Sequence, residues 1–496
     1  MKKIQIIYAV TLLMCFSSCT DYLDENPDNR IEANTLEKIS QLLVPAYPRG
    51  DYFFTDWMTD DSHYIESNSQ ISRMTDTFLW KDLDEDDSYN TPSNYWNNAY
   101  SAISQANAAL EALEKVDSED VEYKNSIKGE ALLCRSYAHF MLAALFSNNY
   151  DEATAKTDLG VPYVIESENV LIKEYKRETL FETYRLIEKD LIEGLALISD
   201  SYYSGSKKYH FTKTAAIAFA SRFYLFKGDP AKSIEFADKI LGVGTINTTF
   251  IKDLNAYDAQ SGSIAKRNFY VKNTDPSNIL IVEKQVGIGL RHSYGYRTQI
   301  KKWRAMFTSS SIWSGAGDDL RSSMGYYGDG AKNVIGAAKY KEEFFKESLT
   351  ATTGYPFFVQ PVIRGIELAF NRIESNIKLD NLTTALADLN TVASLRYTGA
   401  ATLDIATIQA YYTTQDSDGN DVVPDEKTAL MNLYLLEKRK EFLQEGMRWF
   451  DIKRHHIAID HITSDGETIT LEANDLRKVL QIPQSATSRG IAKNPR

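Results

Sequence analysis

The sequence predicts a mainly α-helical fold: a tetratricopeptide-like solenoid of helical hairpins carrying long irregular loop insertions. Three observations predict it. Apolar residues recur at three- and four-residue steps over long stretches, these stretches come in adjacent pairs of about 35 to 45 residues, and three segments lack the periodicity altogether. With 496 residues, 43% hydrophobic and 25% charged, the chain has an ordinary globular composition and enough length to bury a large core. Lys and Arg number 55 against 68 Asp and Glu, a net charge of -13 that excludes a phosphate-backbone binder, so no nucleic-acid partner is expected.

The N-terminus comes first. Met1-Lys2-Lys3, the apolar run Ile4–Phe16 and Ser17-Ser18-Cys19 have the pattern of a signal peptide over residues 1–18. The run is shorter than the roughly 20 residues a membrane-spanning helix needs. Small residues directly before Cys19 resemble the lipobox of bacterial lipoproteins, in which the cysteine becomes the acylated first residue. Cys15 would leave with the signal and Cys19 would carry lipid, so only Cys134 stays in the fold, in an apolar helical stretch where it reads as a small buried hydrophobe. Residues 19–45, opening on the acidic, turn-rich Asp21-Tyr22-Leu23-Asp24-Glu25-Asn26-Pro27-Asp28, read as a lipidated tether, and 46–496 as one helical domain.

Within that domain Trp96, Ala99, Ile103, Ala106, Leu110 and Leu113 make one apolar face, and Ile127, Ala131, Cys134, Ala138, Met141 and Leu145 a second, close enough to pair as an antiparallel hairpin. The pattern returns in Leu180, Tyr184, Ile187, Leu191, Leu195 and Ile198, followed by Ala216, Ala220, Phe223 and Phe226. Gly228-Asp229-Pro230 then supplies a break, an N-cap acid and a first-turn proline for a helix from Ala231 to Leu241. A last pair runs from about Val362 to Leu379 and from Leu382 to Arg396, hinged at Asp380-Asn381.

The insertions fall at about 46–92, 243–360 and 397–427, and loops this long usually carry function. They hold Trp57, Trp80, Trp303 and Trp313, four of the six tryptophans, where no repeat packing accounts for a large ring. Trp96, by contrast, fits the apolar face of its helix. Signatures of chemistry are missing: there is no H-E-x-x-H, C-x-x-C or G-x-S-x-G, and Gly287-Ile288-Gly289 lacks the third glycine of a dinucleotide fingerprint. His455, His456, Asp460 and His461 do not share a helical face, so no metal site is expected there. Asp416-Ser417-Asp418-Gly419-Asn420-Asp421 reads as a polar turn, with a structural calcium ion at Asp416, Asp418 and Asp421 as the alternative. The acid run Asp82, Asp84, Glu85, Asp86 and Asp87 reads as a charged, solvated loop.

Several segments, in order along nearly the whole chain, resemble the SusD/RagB family of outer-membrane nutrient-uptake lipoproteins. Asp21-Tyr22-Leu23-Asp24 with Pro27 is similar to the family's post-cysteine segment. Trp96, Tyr100, Ile103, Ala106 and Asn107 follow its W-x3-Y-x2-I-x2-A-N helix, and Gly129-Glu130-Ala131 with Arg135, Tyr137 and Phe140 its G-E-A helix; Gly160-Val161-Pro162 follows. The most specific block is Glu437-Lys438-Arg439-Lys440-Glu441-Phe442 with Glu445-Gly446-Met447-Arg448-Trp449-Phe450-Asp451, which resembles E-R-R-x-E-L-x-x-E-G-x-R-W-x-D. Ile482-Pro483-Gln484 and Asn494-Pro495 resemble the closing motifs, although Ser485-Ala486-Thr487 replaces the usual acid and Gly365-Ile366-Glu367-Leu368 only loosely follows R-x-A-E. By its charge spacing alone the C-terminal block reads as a buried or half-buried ion network and not as an active site.

The resemblance implies a lipid-anchored outer-membrane protein facing the cell exterior that captures oligomeric nutrient, usually glycan, and acts as a lid on a SusC-like TonB-dependent barrel, with no catalytic residue. A pyranose stacks its C–H face on an aromatic ring while its hydroxyls need polar partners. The ligand-binding candidates are therefore Trp57, Trp80, Tyr294, Tyr296, Trp303 and Trp313, with Asp60, Arg291, His292 and Arg297 as polar company. A peptide-capturing member of the same family is the alternative, and an all-helical secreted glycoside hydrolase, whose two facing acids would be close in space and not in sequence, is a further one.

Overall fold

The computed structural model of the chain describes residues 33–65, 71–167, 175–203, 205, 207–286, 296–325, 330–331, 333–346, 348 and 350–496. The expected signal peptide, Cys19, most of the expected tether, and Arg291, His292 and Tyr294 lie outside the described residues. The body begins inside the stretch expected to be tether, because α1 (Leu36–Leu42), capped by Thr35, buries Leu36 and Ile39 against the helices that follow.

After β1 (His63–Tyr64) and α2 (Ser72–Phe78) comes α3 (Pro92–Lys115), opened by the Thr91 side chain, which accepts from Asn94 N, and by Pro92 in the first turn. It buries the expected face of Trp96, Ala99, Ile103, Ala106 and Leu113. Its partner α4 (Val121–Phe146) is buried on every side beyond Ile127 apart from the half-buried Lys128, which is why it is apolar nearly all round, and it packs between α3 and α5 (Leu180–Leu197). Glycines let α4 and α5 touch: a Cβ on Gly129 would lie 2.7 Å from Ile198 N, and one on Gly194 would lie 2.8 Å from Leu133 Cγ. Helices α6 (Lys213–Phe226) and α7 (Pro230–Leu241) form the next hairpin, with Asp229 capping α7 as expected.

The segment 243–360 departs from its expectation of irregular loop. It holds α8 (Leu254–Asp258), α9 (Gly262–Tyr270), β2 (Asn278–Gln285), β3 (Tyr296–Arg297), α10 (Ile300–Phe307), β4 (Lys341–Lys346) and β5 (Gly354–Arg364). Strands β2, β5 and β4 form an antiparallel sheet in that order. Its central stretch escaped detection because Asn278 to Val282 is buried on both faces, so Ile279-Leu280-Ile281-Val282 shows no alternation. The last helix pair is α11 (Gly365–Lys378) and α12 (Leu382–Ser394), turned by Asp380 at φ 60°; the expected start at Val362 still belongs to β5.

The chain closes with α13 (Ile405–Tyr412), β6 (Thr414–Gln415), β7 (Asp421–Val422), α14 (Glu426–Glu441), α15 (Arg448–Arg454), β8 (Ile459–Ile462), β9 (Thr468–Leu471) and α16 (Gln484–Thr487). The fold is mainly α-helical, and no described helix is long and apolar enough to cross a membrane. The α14 block is a buried ion lattice. Glu437 accepts from Arg321 at 2.7 Å and Tyr397 at 2.7 Å, Glu441 from Arg396 at 2.7 Å and Arg364 at 3.2 Å, and Glu445 from Lys339 at 2.6 Å and Arg364 at 2.9 Å. These groups fasten the three-stranded sheet and the segment after α12 to α14.

Candidate functional site

The first two insertions meet. Strand β1 pairs antiparallel with β3, His63 opposite Arg297 and Tyr64 opposite Tyr296. The approach to β1 is a 3-10 turn, Phe53–Met58, pinned to the corner between α14 and α15: Asp56 Oδ1 accepts from Gly446 N at 2.9 Å, and Thr55 Oγ1 donates to Gly446 O at 3.0 Å. Gly446 has φ 72°, and a Cβ there would lie 2.6 Å from the Tyr52 ring, so this corner requires glycine.

Just past the turn, the acid pair Asp60-Asp61 faces two arginines of the C-terminal block. Arg439 Nη1 lies 2.8 Å from Asp60 Oδ2, and Arg448 donates through Nε and Nη2 to the same carboxylate at 3.1 Å each. Arg439 also donates to Asp61 Oδ1 at 2.7 and 2.8 Å. Burial opposes ionisation of Asp60, but Arg439 and then Arg448 more than offset it and hold the carboxyl at about 2. Such a group stays ionised and cannot serve as a general acid near neutral pH. Beside it His63 is half-buried; burial and the nearby Lys302 hold its imidazole at about 4, so it is neutral, and its Nδ1 has no partner among the described residues. The ribbon therefore lies on an ion-paired floor, and among the described residues no nucleophile there stands beside a base.

The four loop tryptophans are not platforms in this structure. Trp80 is 2% exposed, donates Nε1–H to Met58 O at 2.9 Å, and stacks on His461, which lies between it and Phe78. Trp313 is fully buried and donates to Glu437. Trp303 packs on Phe307 over Gly325, and Trp57 lies in the main core. The insertions are large enough to build cores of their own, which supplies the packing reason that helical periodicity lacked. Arg297, within β3 of the ribbon, is buried, and Asp60 is committed to its two arginines.

Sequence reasoning placed Arg439 and Arg448 in scaffold and missed their reach to Asp60; the doublet Asp60-Asp61 was the signal. The Asp416 turn spends its carboxylate internally, accepting from Asp418 N and Asn420 N at 2.9 Å each. Asp82 and Asp84 are likewise not merely solvated: they pair with Arg496 at 2.7 Å and Lys493 at 2.6 Å. Glu374, Asp451 and His455 converge in a cluster that could geometrically hold a cation, but Arg454, Lys438 and Lys378 already surround the two carboxylates, leaving no negative charge to neutralise. A separate cavity of about 290 Å³ lies between α3 and the C-terminal segment, and Trp96, assigned to packing alone, borders it.

Residues 21–225 match a family model described as SusD-like, starch-binding associating with outer membrane. No curated protein matches the chain. Among solved structures it is similar to a SusD superfamily protein of Bacteroides thetaiotaomicron at 20% identity, covering 93% of this chain and 100% of that one with a TM-score of 0.68. A SusD superfamily protein of Bacteroides vulgatus matches at 18% identity, 93% and 99% coverage and a TM-score of 0.68. A SusD-like carbohydrate binding protein of the same organism matches at 18% identity, 92% and 96% coverage and a TM-score of 0.62.

Proposed function

We propose that the chain is a SusD-like protein, a cell-surface lipoprotein that captures oligosaccharide and delivers it to a SusC-like TonB-dependent outer-membrane barrel, for which it is the lid. Residues 1–18 are removed as a signal peptide, Cys19 is acylated, and the residues after it tether a single body to the outer membrane. The paired helices from α3 to α7 are a tetratricopeptide-like scaffold that presents the insertions. The observation that carries the reading is the meeting of two insertions on one ribbon, held on an ion-paired floor of Asp60, Arg439 and Arg448. Arg291, His292, Tyr294 and Tyr296, on the chain leading into β3, are the groups we assign to ligand contact.

Glycan is favoured over peptide because the matched family model is described as starch-binding and a similar structure is described as carbohydrate binding. The test is a glycan array beside a peptide pull-down, followed by titration of the bound glycan against the triple variant Arg291→Ala, His292→Ala, Tyr294→Ala. Affinity should fall about thirtyfold or more with thermal unfolding unchanged; wild-type affinity in the variant overturns the site. Affinity purification from native outer membrane should recover one large barrel protein, and a chain recovered alone counts against the lid role. Appearance of shorter products from the bound glycan would sink the non-enzymatic reading. Cys19→Ala should release the protein from the membrane fraction.

A further inference from the structure

The cavity bordered by Trp96 lies between α3 and the C-terminal segment, and both walls are fixed from behind. On one wall Tyr100 donates its hydroxyl to Pro162 O at 2.9 Å and sets its ring 4.9 Å from that of Trp96, which is in turn held edge-on by Phe146 at 4.9 Å. The opposite wall is Ser485 and Ala486 of α16, with Arg489 and Ile491 beyond. That segment is strapped down along its length. Arg177 donates to Asn494 Oδ1 at 2.8 Å and to Ala492 O at 3.1 Å, Asn494 Nδ2 donates to Phe146 O at 2.9 Å, and Lys493 and Arg496 hold Asp84 and Asp82. A gap with two pinned walls does not close by relaxation.

The lining has a definite chemistry. Trp96 is 4% exposed and borders the cavity with its ring, while Asn97, Ser104 and Arg489 stand at exposed positions on its rim, their side chains committed to no other described residue. Polar groups of Asn97, Ser104, Glu166 and Arg489 thus surround the rings of Trp96 and Tyr100 and the apolar Pro162 and Val164. A cavity of about 290 Å³ is at the small end of ligand sites and takes a small ring system, not an extended chain. A flat apolar wall ringed by an amide, a hydroxyl, a guanidinium and a carboxylate suits a ligand with one C–H face and several hydroxyls.

We propose that this cavity is a second saccharide site, taking one sugar ring of an oligosaccharide or a free monosaccharide, with Trp96 and Tyr100 as the apolar wall and Asn97, Ser104 and Arg489 as hydroxyl partners. The inference does not require the capture reading: it stands on this cavity, and the ribbon of β1 and β3 contributes no residue to it.

The probes are methyl glycosides of glucose, galactose, mannose and glucuronic acid, added to the folded full chain, with intrinsic tryptophan fluorescence and calorimetry as readouts. Trp57, Trp80, Trp303, Trp313 and Trp449 do not line the cavity, so a change in emission that disappears in Trp96→Phe reports it. Affinity of about millimolar is expected for one ring. Asn97→Ala and Arg489→Ala, both at exposed positions, should each weaken it about threefold to tenfold. Ser104→Trp, which fills the cavity from an exposed position, should abolish it while leaving unfolding and glycan capture at the ribbon unchanged. Absence of any Trp96-dependent signal with all four glycosides overturns the proposal, as does binding that survives Ser104→Trp. The Arg291, His292, Tyr294 triple variant separates the two readings, because it should lose glycan capture and keep the Trp96 signal.

Discussion

Glu441→Gln tests the lattice that joins the insertions to α14. Glu441 is 1% exposed; its Oε2 accepts from Arg396 Nε at 2.7 Å and its Oε1 from Arg396 Nη2 at 3.3 Å and Arg364 Nη1 at 3.2 Å. In the variant Arg364 retains Glu445, but Arg396, itself fully buried, loses its counter-charge: the Gln amide oxygen can accept one of its bonds, while the amide nitrogen is a donor facing a donor. Removing one partner of a buried pair in this way costs about 3–5 kcal/mol, against a total stability of roughly 5–15 kcal/mol. With a urea slope at or above the upper end of ~1–3 kcal/mol/M, the midpoint should fall by about 1–1.5 M at pH 7. Burial pushes the Glu441 carboxyl up, but Arg396 and Arg364 more than reverse this and hold it well below the usual range. A depressed carboxylate stabilises above its unfolded value of about 4.3 and loses that contribution as pH falls through the folded value, so wild type and variant should converge in acid. Glu182→Gln, which breaks an exposed pair with Arg185, is the control and should leave the midpoint in place. A Glu441→Gln chain that unfolds at the wild-type midpoint would refute the claim that the lattice holds the insertions.

Asp60→Asn should cost roughly 1–3 kcal/mol by chemical denaturation at pH 7, and the gap to wild type should close as pH falls from about 4 towards 2, following the depressed carboxyl. His210, whose Nδ1 lies 2.8 Å from Glu130, is lowered by burial but raised further by that carboxylate, so the pair stabilises below the unfolded imidazole value of about 6.5 and fades as pH rises through the folded one. His210→Asn should remove this slope from the stability profile above about pH 6.5. Gly129→Ala should destabilise by about 1–3 kcal/mol, because its methyl would enter the close crossing of α4 and α5 at Ile198 N; a neutral result in thermal unfolding would mean the crossing is looser than drawn.

Long amphipathic helices were legible because their periodicity repeats over many turns: α3 buries the residues its spacing predicted apart from the half-buried Leu110, and α7 starts at its expected cap. The sheet was not, since Ile279-Leu280-Ile281-Val282 is buried on both faces and carries no period. Trp57, Trp80, Trp303 and Trp313 misled for a related reason. A pattern search sees only cores built by regular elements, whereas Trp80 finds its place through a carbonyl at Met58 and a ring at His461, contacts with no local signature. The charge spacing of Glu437 to Asp451 did announce an ion network, but its partners Arg321, Arg364 and Arg396 lie up to 116 residues away and had no mark in the sequence. The meeting of β1 and β3 was equally silent, because two-residue strands carry no period to read.

The reach from Asp61 to Arg439 spans 378 positions, and that from Asp60 to Arg448 spans 388. Closing loops of that length is an entropic toll that no early local contact can offset, so these bonds belong to the last steps of folding. A chain emerging N-terminus first would hold its early hairpins and the approach to β1 half-assembled, with two acids uncompensated, until α14 and α15 arrived. Truncation anywhere before Arg448 should therefore give aggregation-prone, protease-sensitive product and not a smaller working protein. The same closure makes residues 51–64 and the corner between α14 and α15 a single cooperative unit, so that fusions or affinity tags placed in the exposed turn 416–420 should be tolerated better than insertions near either end of that clasp.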